Sequence, residues 1–176
     1  MTRKMAFASV MTALTIVCLY GSVVLPAGKI ALFAITSLCV LITHAECGTR
    51  FSLVQYVASA IIGALIVPFK FQIILFALFV GYYPIIKSYI ERIGILWLEW
   101  LVKILFFNAV FIVLYFLLQN ILLSYINLGA VLDFALSHLS VVIIATEIIF
   151  VLYDYMLSVL ASYYVNEIKE KLKFIH

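Results

Sequence analysis

The sequence TEIIFVLYDYML, from Thr146 to Leu157, decides what kind of molecule this chain is. It belongs to an apolar run from about Ser137 to Val165, which is long enough to cross a membrane, since a spanning helix needs ~20 mainly apolar residues. Of the 176 residues in the chain, 68% are hydrophobic and 11% are charged, whereas soluble domains have about 25% charged residues. So few charges cannot cover a globular surface in water. The sequence therefore predicts an integral membrane protein.

Six apolar runs qualify as membrane spans or nearly do. They are Met5–Leu25, Lys29–His44, Phe51–Val67, Phe71–Ile86, about Leu101–Tyr125 and about Ser137–Val165. We expect helices, because lipid offers no hydrogen-bonding partners to backbone polar groups. Gly81 and Pro84 interrupt the fourth run. The predicted fold class is an all-α integral membrane protein, a six-transmembrane-helix bundle that forms a single transmembrane domain over residues 1–176 and lies in the cell membrane as a multi-pass protein.

Between the fourth and fifth runs lies the stretch KSYIERIGILWLEWLVK, from Lys87 to Lys103. Spacings of four allow Lys87 to pair with Glu91, and Glu99 with Lys103, on one face of a helix. The two tryptophans of the stretch are typical of anchors in the headgroup layer. We predict an amphipathic interfacial helix here, which lies on the membrane surface and leads into the fifth span. A cytosolic extension of the fifth helix is the alternative.

The basic residues predict the orientation, because Lys and Arg concentrate in short cytosolic loops. If the amino terminus is cytosolic, nine of the 11 basic residues lie inside, and only Lys29 and Lys70 lie outside. The nine are Arg3, Lys4, Arg50, Lys87, Arg92, Lys103, Lys169, Lys171 and Lys173. We therefore expect six spans with both termini cytosolic.

Two acids, Glu147 and Asp154, stand inside the last apolar run. A separation of seven residues turns a helix by about 700°, so the two acids lie within ~20° of each other on one face. Ionisable groups inside a membrane are costly and usually face a protein interior or a wet cavity. We read them as a ligand, ion or proton site. The structural alternative is that they hold helices together, and that Lys87, Lys103 or Arg50 neutralises Asp154.

Amide side chains also occur in apolar surroundings. Asn108 lies within FFNAVF in the fifth run, and Asn120 lies near the outer end of that run. We predict that Glu147, Asn108, Asn120 and Asp154 contribute to a binding site for a small molecule. An acid at this depth needs a proton or a cation, so Glu147 is expected to bond to Asn108, to a tyrosine or to a cationic ligand. Hydrogen bonding between neighbouring helices is the alternative role of such amides.

Several classes of chemistry lack their sequence signals. The chain has no G-x-x-x-x-G-K-[ST] phosphate loop and no H-E-x-x-H zinc motif. Its three cysteines have unrelated spacings, which predict neither a disulfide framework nor a metal site. We therefore expect no enzymatic activity, no cofactor, no bound metal and no nucleic-acid partner. Any work driven by ATP would need another subunit.

The first helix reads RKMAFASVMTAL, with small residues four apart. Together with the chain length, the six predicted helices and the cytosolic termini, this helix resembles the substrate-binding S component of energy-coupling factor (ECF) transporters. The resemblance implies that a vitamin or similar micronutrient binds near the outer half of the bundle, against the last three helices. It further implies that the small-residue face of the first helix contacts a transmembrane coupling subunit served by a pair of ATPases. The residues in that role would be Ala8, Ser9, Thr12 and Ala13.

Other classes of function stay open at the level of sequence. The chain also fits a stand-alone proton- or ion-coupled transporter, or a lipid-handling protein, that uses Glu147 and Asp154. A structural or assembly protein of the membrane is a third possibility. In every case the lipid bilayer is a partner.

Overall fold

The computed structural model describes residues 2–25, 29–68, 70–117 and 139–164. Helices occupy nearly all of these residues, and no strand occurs among them. The helices are α1 (Thr2–Val24), α2 (Lys29–Cys47), α3 (Thr49–Ile66), α4 (Lys70–Leu75), α5 (Tyr83–Ile90), α6 (Leu96–Leu117) and α7 (Leu139–Tyr163), with a π-helix at Phe76–Val80 between α4 and α5. The predicted all-helical fold class is therefore confirmed for the described residues.

Within the described part of the chain, five helical segments are long and apolar enough to cross a membrane. They are Thr2–Val24, Thr49–Ile66, Gln72–Ile90, Leu96–Leu114 and Val141–Tyr163. The apolar helix Ala31–Cys47 is shorter, in line with the brevity of the second apolar run. A multi-pass membrane protein is thus confirmed. The sixth span, the cytosolic position of both termini and the cell membrane as the location stay predictions.

Two compact units make up the chain, one from Met1–Arg92 with Met156–His176 and the other from Ile93–Tyr155. In the first unit, α1 packs against α2 and α3. The fully buried polar side chains of these helices are small hydroxyls and one amide: Thr15, Ser22, Thr36, Ser37, Thr43, Ser52, Ser59 and Gln55. Small buried residues let helices approach closely in lipid, where apolar burial provides no driving force. The single domain over residues 1–176 stays a prediction.

The second unit contains α6 and the part of α7 that precedes Met156. The rings of Phe107 and Phe150 stack with centroids 4.4 Å apart and planes 13° from parallel. Phe150 is 1% exposed. Residue numbers that rise along α6 pair with numbers that fall along α7, so these two helices run antiparallel.

The stretch from Lys87 to Lys103 is divided by a turn, whereas the sequence predicts one amphipathic helix. The helix α5 ends at Ile90, and α6 begins at Leu96. Gly94 in the turn has a φ of 74°, a conformation that glycine adopts without steric cost. The first part of the stretch therefore ends one helix and the last part begins the next. The position of this segment at the membrane surface stays a prediction.

The two ion pairs predicted within this stretch have different outcomes. Lys87 and Glu91 do pair, at 2.6 Å across one helical turn. Glu99 accepts a hydrogen bond from the backbone N–H of Gly94 at 3.0 Å, and Lys103 pairs with a residue of α7. The position of Glu99 in the first turn of α6 explains the difference. A carboxylate there can accept a hydrogen bond from a backbone N–H just before the helix.

Candidate functional site

A buried ion pair connects α6 to α7 in the second unit. Lys103 Nζ lies 2.9 Å from Asp154 Oδ2, and the two side chains are 5% and 4% exposed. The Trp100 ring covers the ammonium at 5.4 Å from Nζ, within the range of a cation–π interaction. Of the three cations that the sequence offers to Asp154, the structure thus selects Lys103. Because each ion compensates the other, neither charge is left alone in an apolar span.

An amide–carboxylate pair lies further along the same two helices. Asn108 Nδ2 donates a hydrogen bond to Glu147 Oε1 at 2.6 Å and another to the backbone carbonyl of Ile104 at 2.9 Å. Both side chains are half-buried. Glu147 therefore bonds to Asn108, one of the partners expected from the sequence. Both acids reach α6, consistent with the shared helix face that their spacing predicts.

The stacked phenylalanines separate the two polar pairs. Along α6 the order is Lys103, Phe107 and Asn108, and along α7 it is Asp154, Phe150 and Glu147. The five residues from Lys103 to Asn108 rise by ~7.5 Å, and the seven from Asp154 to Glu147 by ~10.5 Å. Among the described side chains, Glu147 has no ion pair, whereas Asp154 forms one with Lys103. The two acids are thus in different electrostatic situations although they share one helix face.

Both pairs lie well inside candidate membrane spans. Lys103 is seven residues from Leu96, the start of its span, and Glu147 is six residues from Val141, the start of its own. Six residues of helix correspond to ~9 Å. At such a depth ionisable side chains usually face a protein interior or a wet cavity, and they pair with one another or with backbone groups.

An open groove of about 730 Å³ follows one face of α6. Trp97 and Trp100 line one part of it, and Asn108 lines another, with aliphatic side chains between them. The volume is within the ~300–1,000 Å³ of small-molecule sites. All of its lining residues belong to α6, so the groove reaches the partner of Glu147, Asn108, but not Glu147 itself.

The remaining predicted site residues have mixed outcomes. Asn120 lies outside the described residues. On α1, Ser9 and Ala13 are exposed and Thr12 is half-buried, so three of the four residues assigned to a coupling subunit reach the surface. Ala8 is 7% exposed, and packing within its own unit explains its small size.

A second polar cluster closes one end of the first unit. His44 Nδ1 lies 3.3 Å from Ser52 Oγ, and His44 Nε2 lies 2.8 Å from Ser88 Oγ, which connects α2, α3 and α5. Thr49 and Tyr89 share a hydrogen bond of 2.6 Å beside it. No group of three or more metal-binding side chains occurs among the described residues. We interpret this cluster as a junction of three helices.

Sequence reasoning named Lys103 only as one of three possible partners of Asp154 and did not predict its burial, which leaves it 4% exposed. Lys103 has a spacing to Glu99 that is typical of a surface pair, and its true partner is 51 residues away. The signal available was the lone lysine between WLEWLV and ILFF, a basic residue with apolar residues on both sides. No protein-family model, curated protein or solved structure matches this chain.

Proposed function

We propose that this protein is the membrane-embedded substrate-binding subunit of an uptake system for a small molecule, a vitamin or related micronutrient. The observation that carries the proposal is the hydrogen bond between Asn108 and Glu147 inside two apolar spans. A carboxylate at that depth without a cation is costly, and such residues commonly mark substrate or ion paths. Asp154 does not need this explanation, because Lys103 compensates its charge.

The groove along α6 adds support, since Asn108 forms part of its wall. Small-molecule sites combine a mostly apolar lining with a few polar groups that orient the ligand. A micronutrient with an apolar body and a polar end matches this combination.

A coupling subunit and a pair of ATPases complete the proposed system. The sequence of this chain has no phosphate-binding loop, and its first helix resembles the contact helix of ECF S components. Ser9 and Ala13 on that helix are exposed, and small exposed residues allow another helix to pack closely.

Native mass spectrometry of the full chain, purified in mild detergent from its own cells, tests the binding role. We expect the wild type to retain one small molecule, and Glu147→Gln to retain much less of it. Glu99→Gln is the matched control, because it also removes one carboxylate from the second unit. A wild-type protein that retains no small molecule, in repeated preparations, would contradict the proposed function.

Affinity capture tests the coupling role. Tagged wild type should recover a membrane subunit together with two proteins that contain phosphate-binding loops. Ala13→Leu adds bulk on the exposed small-residue face and should abolish this recovery. Leu14→Phe, which adds bulk on another side of the same helix at a residue that is 44% exposed, should not. Equal recovery by both variants would speak against this face as the contact.

A stand-alone ion-coupled transporter is the second candidate, and the buried Lys103–Asp154 pair favours it. Charged pairs within spans occur in proton and ion paths. Uptake by the purified protein in vesicles, driven by a pH or ion gradient without ATPases, would support this candidate over the first.

A further inference from the structure

We propose that Glu147 is the counter-ion of the bound molecule, and that this molecule carries a protonated amine with at least one N–H. This inference rests on the proposed function, because it names the class of substrate for that same site. It starts from the charges of the second unit, where Lys103 and Asp154 cancel at 2.9 Å. Two described carboxylates of the unit then remain without an ion pair: Glu99, which accepts a hydrogen bond from the Gly94 backbone N–H at the start of α6, and Glu147, which lies six residues inside its span.

The hydrogen-bond donors of the Asn108 side chain limit the chemical class of ligand that can bind. Its amide nitrogen carries two hydrogens, one donated to the Ile104 carbonyl and one to Glu147. No donor is left on this side chain. The Asn108 carbonyl oxygen and the remaining lone pairs of Glu147 are acceptors. When Glu147 is ionised, the pair therefore offers acceptors only, and it recognises a group that brings hydrogens.

A protonated amine meets both requirements. It supplies positive charge to Glu147 and N–H groups to the carboxylate and the Asn108 oxygen. Hydrogen bonds with charged partners are about twice as strong as neutral ones. An alcohol brings a hydrogen without charge, and a quaternary ammonium brings charge without a hydrogen. Neither should bind as well as an amine of similar size.

Lys103 does not fill this role, and the stacked rings of Phe107 and Phe150 pack between α6 and α7 next to the pair that it forms. They lie between the two polar pairs along both helices, with centroids 4.4 Å apart. Lys103 is held on the other side by Asp154 and the Trp100 ring. The cation that compensates Glu147 must then come from outside this helix pair.

Carbodiimide labelling provides the test. Dicyclohexylcarbodiimide modifies protonated carboxyl groups in apolar surroundings, and peptide mass spectrometry locates the product. The full chain in detergent is labelled alone or with n-butylammonium, n-butanol or tetramethylammonium as probes. We expect modification at Glu147, and protection by n-butylammonium at about tenfold lower concentration than by n-butanol. Glu147→Gln should lose the label from this peptide, and Glu147→Asp should keep a weaker label and weaker protection.

Equal protection by n-butylammonium and n-butanol would overturn the inference. So would retention by the wild type of a molecule that has no basic nitrogen and stays bound in Glu147→Gln, although the proposed function would then survive. Conversely, selective protection by n-butylammonium in a protein that retains no small molecule would leave the counter-ion site standing and would remove the uptake function.

Discussion

At the scale of single residues, the part of the chain that the structure describes has two ion pairs of similar length and very different surroundings. The Lys87–Glu91 pair is 2.6 Å long, but the Glu91 side chain is 41% exposed. The Lys103–Asp154 pair is 2.9 Å long, and both of its side chains are at most 5% exposed. Exposed pairs contribute about 0–1 kcal/mol because solvent screens them. Removing one member of a buried pair costs ~3–5 kcal/mol, because the other charge is left uncompensated. The Lys103–Asp154 pair, although it is longer, should therefore contribute more to the stability of the protein than the Lys87–Glu91 pair.

We predict that Asp154→Asn lowers the stability of the protein by ~3–5 kcal/mol, because Lys103 remains as a buried charge. Glu91→Gln, the matched control at the exposed pair, should cost no more than about 1 kcal/mol. The double variant Lys103→Met/Asp154→Leu should recover most of the loss, since apolar residues can replace a buried pair. Denaturant unfolding in detergent measures all three. Similar losses for Asp154→Asn and Glu91→Gln would contradict this account of the pair.

At the scale of elements, the most unusual feature is the π-helix Phe76–Val80 inside the fourth span. Here Gly81 N–H donates to the Phe76 carbonyl, five residues back, at 2.8 Å. Two donors come from neighbouring helices: Tyr56 OH bonds to the Ala77 carbonyl at 2.5 Å, and Ser37 Oγ bonds to the Val80 carbonyl at 3.1 Å. Lipid provides no donor for a carbonyl outside the regular helix ladder. The side chains of α2 and α3 therefore stabilise the irregular turn.

Gly81 is required by this arrangement, and we predict that Gly81→Ala is destabilising. A methyl group at this position would come within 2.6 Å of the Tyr56 ring and 2.9 Å of the Phe76 carbonyl oxygen. Crowding of this kind typically costs ~1–3 kcal/mol. Gly21→Ala is the control, because its methyl group would meet only Leu32, at an ordinary 3.5 Å. Helix propensity should make Gly21→Ala neutral or stabilising by up to ~1 kcal/mol. Thermal unfolding that ranks the two variants in the opposite order would refute this role of Gly81.

At the scale of the whole molecule, the sequence predicts where the helices lie better than it predicts which side chains pair between them. Composition alone indicates a membrane protein, and the seven-residue spacing predicts that Glu147 and Asp154 share one face of their helix. Gly81 and Pro84 mark the irregular fourth span, although not its π-helical form. The partner of Asp154 was not predictable, because Lys87, Lys103 and Arg50 were equally compatible with the sequence. Selecting among them requires the rotation and register of two helices, which depend on contacts between residues far apart in the chain.

The orientation of the whole molecule gives the last prediction. Lys103 belongs inside a span rather than in a loop, so the count of basic residues becomes eight inside against two outside. The bias still favours a cytosolic amino terminus. The turn after α3 should then be external and the turn after α5 cytosolic. Pro68 and Ile93 are exposed in these turns, and the native Cys18, Cys39 and Cys47 are buried.

A membrane-impermeant maleimide should therefore label Pro68→Cys in intact cells and leave the wild type unlabelled. Ile93→Cys should react only after the cells are permeabilised, because the cytosolic face is then accessible. These two positions flank one span, Gln72–Ile90, so a single crossing is sufficient to separate them. Labelling of Ile93→Cys but not Pro68→Cys in intact cells would invert the orientation. It would also place the Lys103–Asp154 end of the second unit, which follows Ile93 along the chain, on the external side.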